Sequence, residues 1–242
     1  MTGATETAPE ARIRPTETKR LDAFVDAAFA FAVSLLIIAG GEPPRSFEEL
    51  ATALGRIPAF AMGFALIVMF WLGHRQFGRL APRRDGMTVV LSLAIVFMAL
   101  IYVFPLRMLT DAAAHFLSGG VLPGGVTIDS YADLAGVYTV YGVGFAILGA
   151  LYGLLYRHAA RNPVRLGVAD EDLDDVRSWG AVWAIIALSG VVSAVVAQAF
   201  PLRLFPGLPG FCYWLIPVGI FVLGRVRRRR KAPAPQTEPP AA

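Results

Sequence analysis

The stretch "KRLDAFVDAAFAFAVSLLIIAG", residues 19–40, decides the class of this molecule. Between positions 23 and 39 it is almost wholly apolar and long enough for a membrane helix, which needs about 20 such residues. Yet Asp26 sits inside it, with Arg20 and Asp22 just before. An unpaired charge at the centre of a bilayer costs about 2.5–3.5 kcal/mol, so Asp26 needs shallow depth, a partner, or both. Arg20 and Asp26 are separated by a helical rise of about 9 Å, which places the carboxylate near an interface. At helical spacing Ala27, Phe31, Ser34 and Ile38 fall in one narrow stripe, and Asp26 points more than about 100° away from Phe31. His74 and Arg75, at the end of the second apolar segment, lie at the same depth, and Arg20 is nearby. Those are the candidate donors to Asp26. The alternative is an interfacial charge that reaches water unaided.

The rest of the chain extends this reading. Of 242 residues 56% are hydrophobic and 17% charged, against about 25% charged in soluble domains. The expected class is an all-α polytopic membrane protein with six transmembrane helices, at 21–39, 58–77, 87–109, 131–156, 179–200 and 210–224. The last is short and contains Pro217. Between the first two, "SFEELATALGRI" (46–57) is amphipathic and predicts a short interfacial helix. The glycine-rich "HFLSGGVLPGGVTIDS" (115–130) predicts a loop. Residues 1–19 and 226–242 read as tails flanking a membrane domain at 20–225, the second tail basic and then rich in proline and alanine. The acidic "ADEDLDDVRSW" (169–179) reads as a helix start, with negative charge favoured in the first turn.

Lys and Arg are distributed unevenly. Eighteen lie in the N-terminal flank, the connections after the second and fourth segments, and the C-terminal flank. The other side has four: Arg45, Arg56, Arg107 and Arg203. By the positive-inside bias both termini are expected in the cytoplasm of a cell-membrane protein. The formal net charge of +4 is explained by this topology, and no nucleic-acid partner is implied. The run "RVRRRRK" (225–231) serves as an orientation signal and has the chemistry to meet anionic lipid headgroups.

Few residues suggest catalysis. His74, His115 and His158 lack metal-ligand spacing, no nucleophile elbow, P-loop or dinucleotide fingerprint occurs, and Cys212 has no partner for a disulfide. No enzyme, metal or cofactor is expected. Gly149 and Gly153 have GxxxG spacing, a packing signal. Trp179 and Trp183 read as an interfacial aromatic belt. Transport or a structural role remains.

Several of these stretches resemble a known family. "RLDAFVD" (20–26), with Arg20, Phe24 and Asp26, resembles the RxxxFSD signature of the transmembrane protein 175 family, the endolysosomal potassium channel and its prokaryotic relatives. "FWLGHRQF" (70–77) resembles the second helix's motif at Trp71 and His74. "RRDGMTVVLSLAIVFMALIYVFPL" (83–106) resembles the third helix, with Arg84 and Asp85 before it and Pro105 near its far end. The resemblance spans about residues 20–225. It implies a four-fold assembly, a homotetramer in membrane lipid, with the first helix lining a pore for potassium as permeant ion. It implies an apolar ring rather than a carbonyl filter, the ring falling at Phe31 with Ser34 and Ile38 beyond it. In that setting Asp26 would accept hydrogen bonds from Arg20, His74 or both. The chain departs from the pattern in Val25 for the signature serine, Ser92 where asparagine is expected, and Phe31 for leucine or isoleucine.

Two other readings compete with a potassium-permeable channel. A proton-coupled secondary transporter, or a proton leak, would use Asp26 and His74 as a relay, although inverted repeats and mid-membrane charges are not evident. A structural or lipid-interacting protein would rest on the polybasic end alone.

Overall fold

A computed structural model describes residues 15–124 and 128–231. Among the described residues every regular element is helical: α1 (Pro15–Ile38), α2 (Phe47–Gly55), α3 (Ile57–Leu80), α4 (Gly86–Leu117), α5 (Tyr131–Arg161), α6 (Pro163–Leu166), α7 (Leu173–Ala199), α8 (Leu208–Phe211) and α9 (Leu215–Lys231). Six segments are long and apolar enough to cross a membrane: Thr18–Ile38, Ile57–Leu80, Gly86–Leu117, Tyr131–Arg161, Asp170–Ala199 and Leu208–Arg227. Each overlaps an expected span. The boundaries differ because polar turns continue helices beyond the apolar runs. The 32 residues of α4 rise about 48 Å, well over a hydrocarbon thickness of about 30 Å.

Local chemistry sets the ends. Ser46 caps α2 by accepting from the Glu49 N–H at 3.1 Å, so "SFEELATALGRI" does form the expected short helix. Ser130 caps α5 in the same way, accepting from the Asp133 N–H. The acidic 169–179 stretch starts α7 as expected, with Asp174 and Asp175 in its first turn. Three boundaries need correction. α1 begins at Pro15, inside the stretch read as a tail, because proline is well placed in a helix's first turn; residues 1–14 lie outside the described residues. α9 continues through the basic run to Lys231, and the Pro/Ala-rich 232–242 lie outside them too. Pro217 falls in the first turn of α9, where it starts a helix rather than interrupting one.

The tightest pairing is α5 with α7, and small residues make it possible. A Cβ on Gly190 would stand 2.6 Å from the Gly142 carbonyl oxygen, and one on Gly149 2.7 Å from the Ala187 nitrogen. The close crossing thus uses Gly142 and Gly149, whereas Gly153, the other half of the GxxxG spacing, faces open space. Above this crossing an aromatic column joins the pair to α3. Trp183 stacks on Tyr152 at 4.1 Å between ring centroids and on Phe70 at 5.9 Å. Its six-membered ring fills the place where a Gly73 side chain would stand. Trp183 is therefore core, 2% exposed, rather than part of an interfacial belt. Tyr156 ties the same layer by donating to the Gly73 carbonyl at 2.9 Å.

Candidate functional site

α1 packs through Val25, Phe29, Ala32 and Leu36, spaced 4, 3 and 4 residues apart as one helical face requires. This face seats on α3 and α4; Gly63 gives Leu36 room, since a Cβ there would meet its methyl at 3.0 Å. Val25 is fully buried in this seam, which explains an apolar residue at the signature's serine position. The opposite face is left uncovered by the chain. Phe31 is 55% and Ile38 67% exposed, with Ser34 between them. The Ser34 hydroxyl donates back to the Ala30 carbonyl at 3.2 Å.

Asp26 lies at the edge of this uncovered face, about 140° around the helix from Phe31. Its donor is Trp71: the indole Nε1–H reaches Oδ1 at 2.8 Å. That corrects the expectation of Arg20 or His74. Arg20 is exposed and makes no hydrogen bond or ion pair among the described residues. His74 lies three residues beyond Trp71 and turns inward, where Nε2 meets the Ser92 hydroxyl at 3.0 Å. The serine at the expected asparagine position is thus the partner that holds the histidine. A bond to a carboxylate typically contributes about 1.5–3 kcal/mol when buried and less when exposed. Asp26→Ala and Trp71→Phe should each lower the melting temperature of the detergent-solubilised protein, and the double variant should fall no further. Additive losses in that cycle would mean the two side chains act independently.

A second anchor, at the same end, was visible in the sequence only as a matching stretch. Arg84 has a side chain 1% exposed and pairs with Asp22 of α1 at 2.9 Å. It also donates to the Ala81 carbonyl and stands over the Phe77 ring, 5.3 Å from its centroid. Asp85 caps α4, accepting from the Thr88 N–H at 2.9 Å and its hydroxyl at 2.8 Å. Its other oxygen meets His158 Nε2 at 2.9 Å and Arg165 Nε at 3.3 Å. Burial alone would push the Asp85 carboxyl up; the Thr88 and His158 hydrogen bonds outweigh it and hold the carboxyl below its ordinary range. Arg84 and Asp85 thus tie α1, α4, α5 and α6 together. His158 and Asp22 carry this role without any spacing motif; the legible signal was an Arg-Asp pair at a helix N-cap.

The far end of α1 is held differently. Gly41 turns the chain with φ +115°, and Arg56 donates to the Gly40 carbonyl at 3.1 Å. Arg107 lies against Gly40 and pairs with Asp111 at 3.0 Å, both side chains 7% exposed. A cavity of about 1100 Å³ opens here, lined in part by Ile37, Ile38, Glu42, Glu48, Arg56 and Arg107. No grouping of His, Cys, Asp and Glu among the described residues has the geometry of a metal site.

Comparison with known proteins places this geometry. The family model described as the endosomal/lysosomal potassium channel TMEM175 matches residues 20–105, the stretch that holds most of α1, Trp71, His74 and the Arg84–Asp85 anchor. A protein of Marivirga tractuosa named a potassium channel is 27% identical over 234 residues, covering 92% of each chain. A named potassium channel of Chamaesiphon minutus is 27% identical over 107 residues, 41% of this chain and 53% of that one. Among solved structures, a variant of the potassium channel MtTMEM175, bound to a nanobody–MBP fusion, has the same fold. Its TM-score is 0.75 at 24% identity, over 94% of this chain and all of that one. A homolog, from Chamaesiphon minutus, of the lysosomal potassium-selective channel TMEM175 overlaps with a TM-score of 0.51 at 20% identity, over 90% of this chain and all of that one. The signature residues and the matched stretch 20–105 make the chain similar to the transmembrane protein 175 family, and the six spans share the fold of its solved member.

Proposed function

We propose that this chain is a potassium channel: a homotetramer in the cell membrane in which α1 lines the pore and Phe31 forms its narrowest ring, with Ser34 and Ile38 beyond. The observation that carries this reading is the uncovered face of α1. A helix whose other side is packed on two neighbours presents Phe31, Ser34 and Ile38 together, away from its own chain. The naming of the relatives from Marivirga tractuosa and Chamaesiphon minutus as potassium channels supports it.

The chemistry of such a neck follows from its side chains. Four phenyl rings around an axis exclude water when they approach closely, and an apolar constriction gates by dewetting. When they stand farther apart their faces attract a cation, each good contact contributing about 0.5–2 kcal/mol. No carbonyl filter sequence is present, so discrimination would rest on neck width and dehydration. Potassium is the permeant ion, and no cofactor is assigned. With both termini cytoplasmic, as the 18-to-4 distribution of Lys and Arg suggests, the cavity beside Ile38 opens on the outer side. His74 is bonded to Ser92 and Asp26 to Trp71, which separates the two groups that a proton relay would join and favours a channel over a carrier.

Reconstitution into liposomes tests the proposal. Potassium uptake should rise without saturating as its concentration is raised and should not depend on an imposed pH gradient. Saturating uptake driven by that gradient would replace the channel with a proton-coupled carrier.

A further inference from the structure

A second cavity, of about 590 Å³, lies between α3, α7 and α9, away from the uncovered face of α1. Its walls are apolar, including Val68 and Leu72 of α3, Val182 and Ile186 of α7, and Ile216 and Ile220 of α9. Its polar side chains are Arg75, Gln76 and Arg79, all toward the end of α3, and no Asp or Glu lines it. From Phe64 to Arg79 the groove follows α3 for about 22 Å, somewhat more than one bilayer leaflet's hydrocarbon of about 15 Å. Trp179 stands on its rim at the arginine end.

The two arginines are one helical turn apart, exposed, and without a carboxylate partner among the described residues. Arg75 lies over the Trp71 ring, 5.4 Å from its centroid. The acidic groups at the start of α7 are already engaged: Asp174 with Arg177 at 3.6 Å and Asp175 with Arg227 at 2.9 Å. A greasy trough one leaflet deep, ending in two free guanidinium groups, matches an acyl chain joined to a phosphate.

We infer that this groove is a binding site for an anionic phospholipid, its acyl chain along α3, α7 and α9 and its phosphate between Arg75 and Arg79. Arginine suits the role because its planar donors pair with phosphate oxygens two at a time. The site is separate in the chain from the basic C-terminal run 225–231.

Native mass spectrometry of the assembly, exchanged into phosphatidylglycerol or phosphatidylcholine, tests the inference. The wild-type chain should retain phosphatidylglycerol preferentially. The R75Q/R79Q variant should bind it about 30-fold more weakly, from about fivefold for each basic residue near an anionic surface. R75K/R79K, which keeps both charges but loses the paired donors, should recover only part of the loss. Ala65→Trp fills the apolar part of the trough and should lower retention with both arginines intact. Equal retention by R75Q/R79Q, or of phosphatidylcholine by the wild type, would overturn the assignment. So would capture of a second copy of the chain by a cross-linker at Leu72→Cys, since the groove would then be a subunit contact. Protection by inorganic phosphate equal to that by the lipid would remove the acyl chain from the account.

Discussion

Phe31→Ala is expected to raise potassium flux several-fold while leaving the protein folded. The side chain is 55% exposed in the isolated chain, so its removal takes little from the packed seam formed by Val25, Phe29, Ala32 and Leu36. In a four-fold arrangement the same change removes four phenyl groups from one level of the pore. The neck widens and wets, and the dewetting barrier falls. The loss of four ring faces also removes cation–π attraction, about 0.5–2 kcal/mol for each good contact, so discrimination between potassium and sodium should weaken as flux rises. Ile38→Ala should act less strongly, because that side chain is smaller and stands two helical turns farther along, beside the large cavity. The check is flux into liposomes together with melting temperature. Unchanged flux in a stable Phe31→Ala protein would place the constriction on another residue.

Gly190→Leu is expected to have the largest effect on stability. Gly190 and Gly142 face each other where α5 and α7 cross, and an added Cβ would stand 2.6 Å from one carbonyl oxygen and 2.8 Å from the Ala146 nitrogen. Both obstacles are backbone, so neither can rotate aside. Overpacking in an ordinary core costs about 1–3 kcal/mol, and more when the backbone must move. The crossing supports the aromatic column of Tyr152, Trp183 and Phe70, so separating the two helices also unstacks the layer that joins them to α3. The variant should lose its monodisperse elution and melt well below the wild type. Gly153→Leu, with nothing within 4 Å of its added Cβ, should be tolerated. Equal behaviour of the two variants would mean that α5 and α7 do not approach this closely.

Much of the architecture was legible in the sequence, because membrane burial imposes length and apolarity on each span. The stripe of Phe31, Ser34 and Ile38 followed from helical spacing, and the resemblance placed a pore ring on it. The partner of Asp26 did not follow. Depth narrows the choice to one turn of α3, but Trp71 and His74 share that turn about 60° apart, and only packing against α1 and α4 decides which side chain faces which neighbour. Trp183 misled for a similar reason. A tryptophan near a predicted span end reads as interfacial, whereas α7 begins at Leu173 and carries it about 15 Å inward. Likewise, GxxxG spacing located a packing helix, but the two glycines share a face and only the tertiary contacts show that Gly149 packs on Ala187 while a Cβ on Gly153 would meet nothing within 4 Å. Charged residues at helix ends were the least legible: Asp22, the Arg84–Asp85 pair and His158 are far apart along the chain, and nothing short of the tertiary arrangement brings them together.

α1 is fastened near both ends, by the Asp22–Arg84 pair about two turns in from its start and by Arg56 on the carbonyl of Gly40, just past its end. A rod tethered at two points resists hinging outward at either of them. The motions left to it are rotation about its long axis, bowing between the tethers, and rotamer changes in its free side chains. In the proposed pore, a switch in such a helix would be a matter of which side chains swing across the axis, and its kinetics should follow torsional barriers more than the rupture of ion pairs.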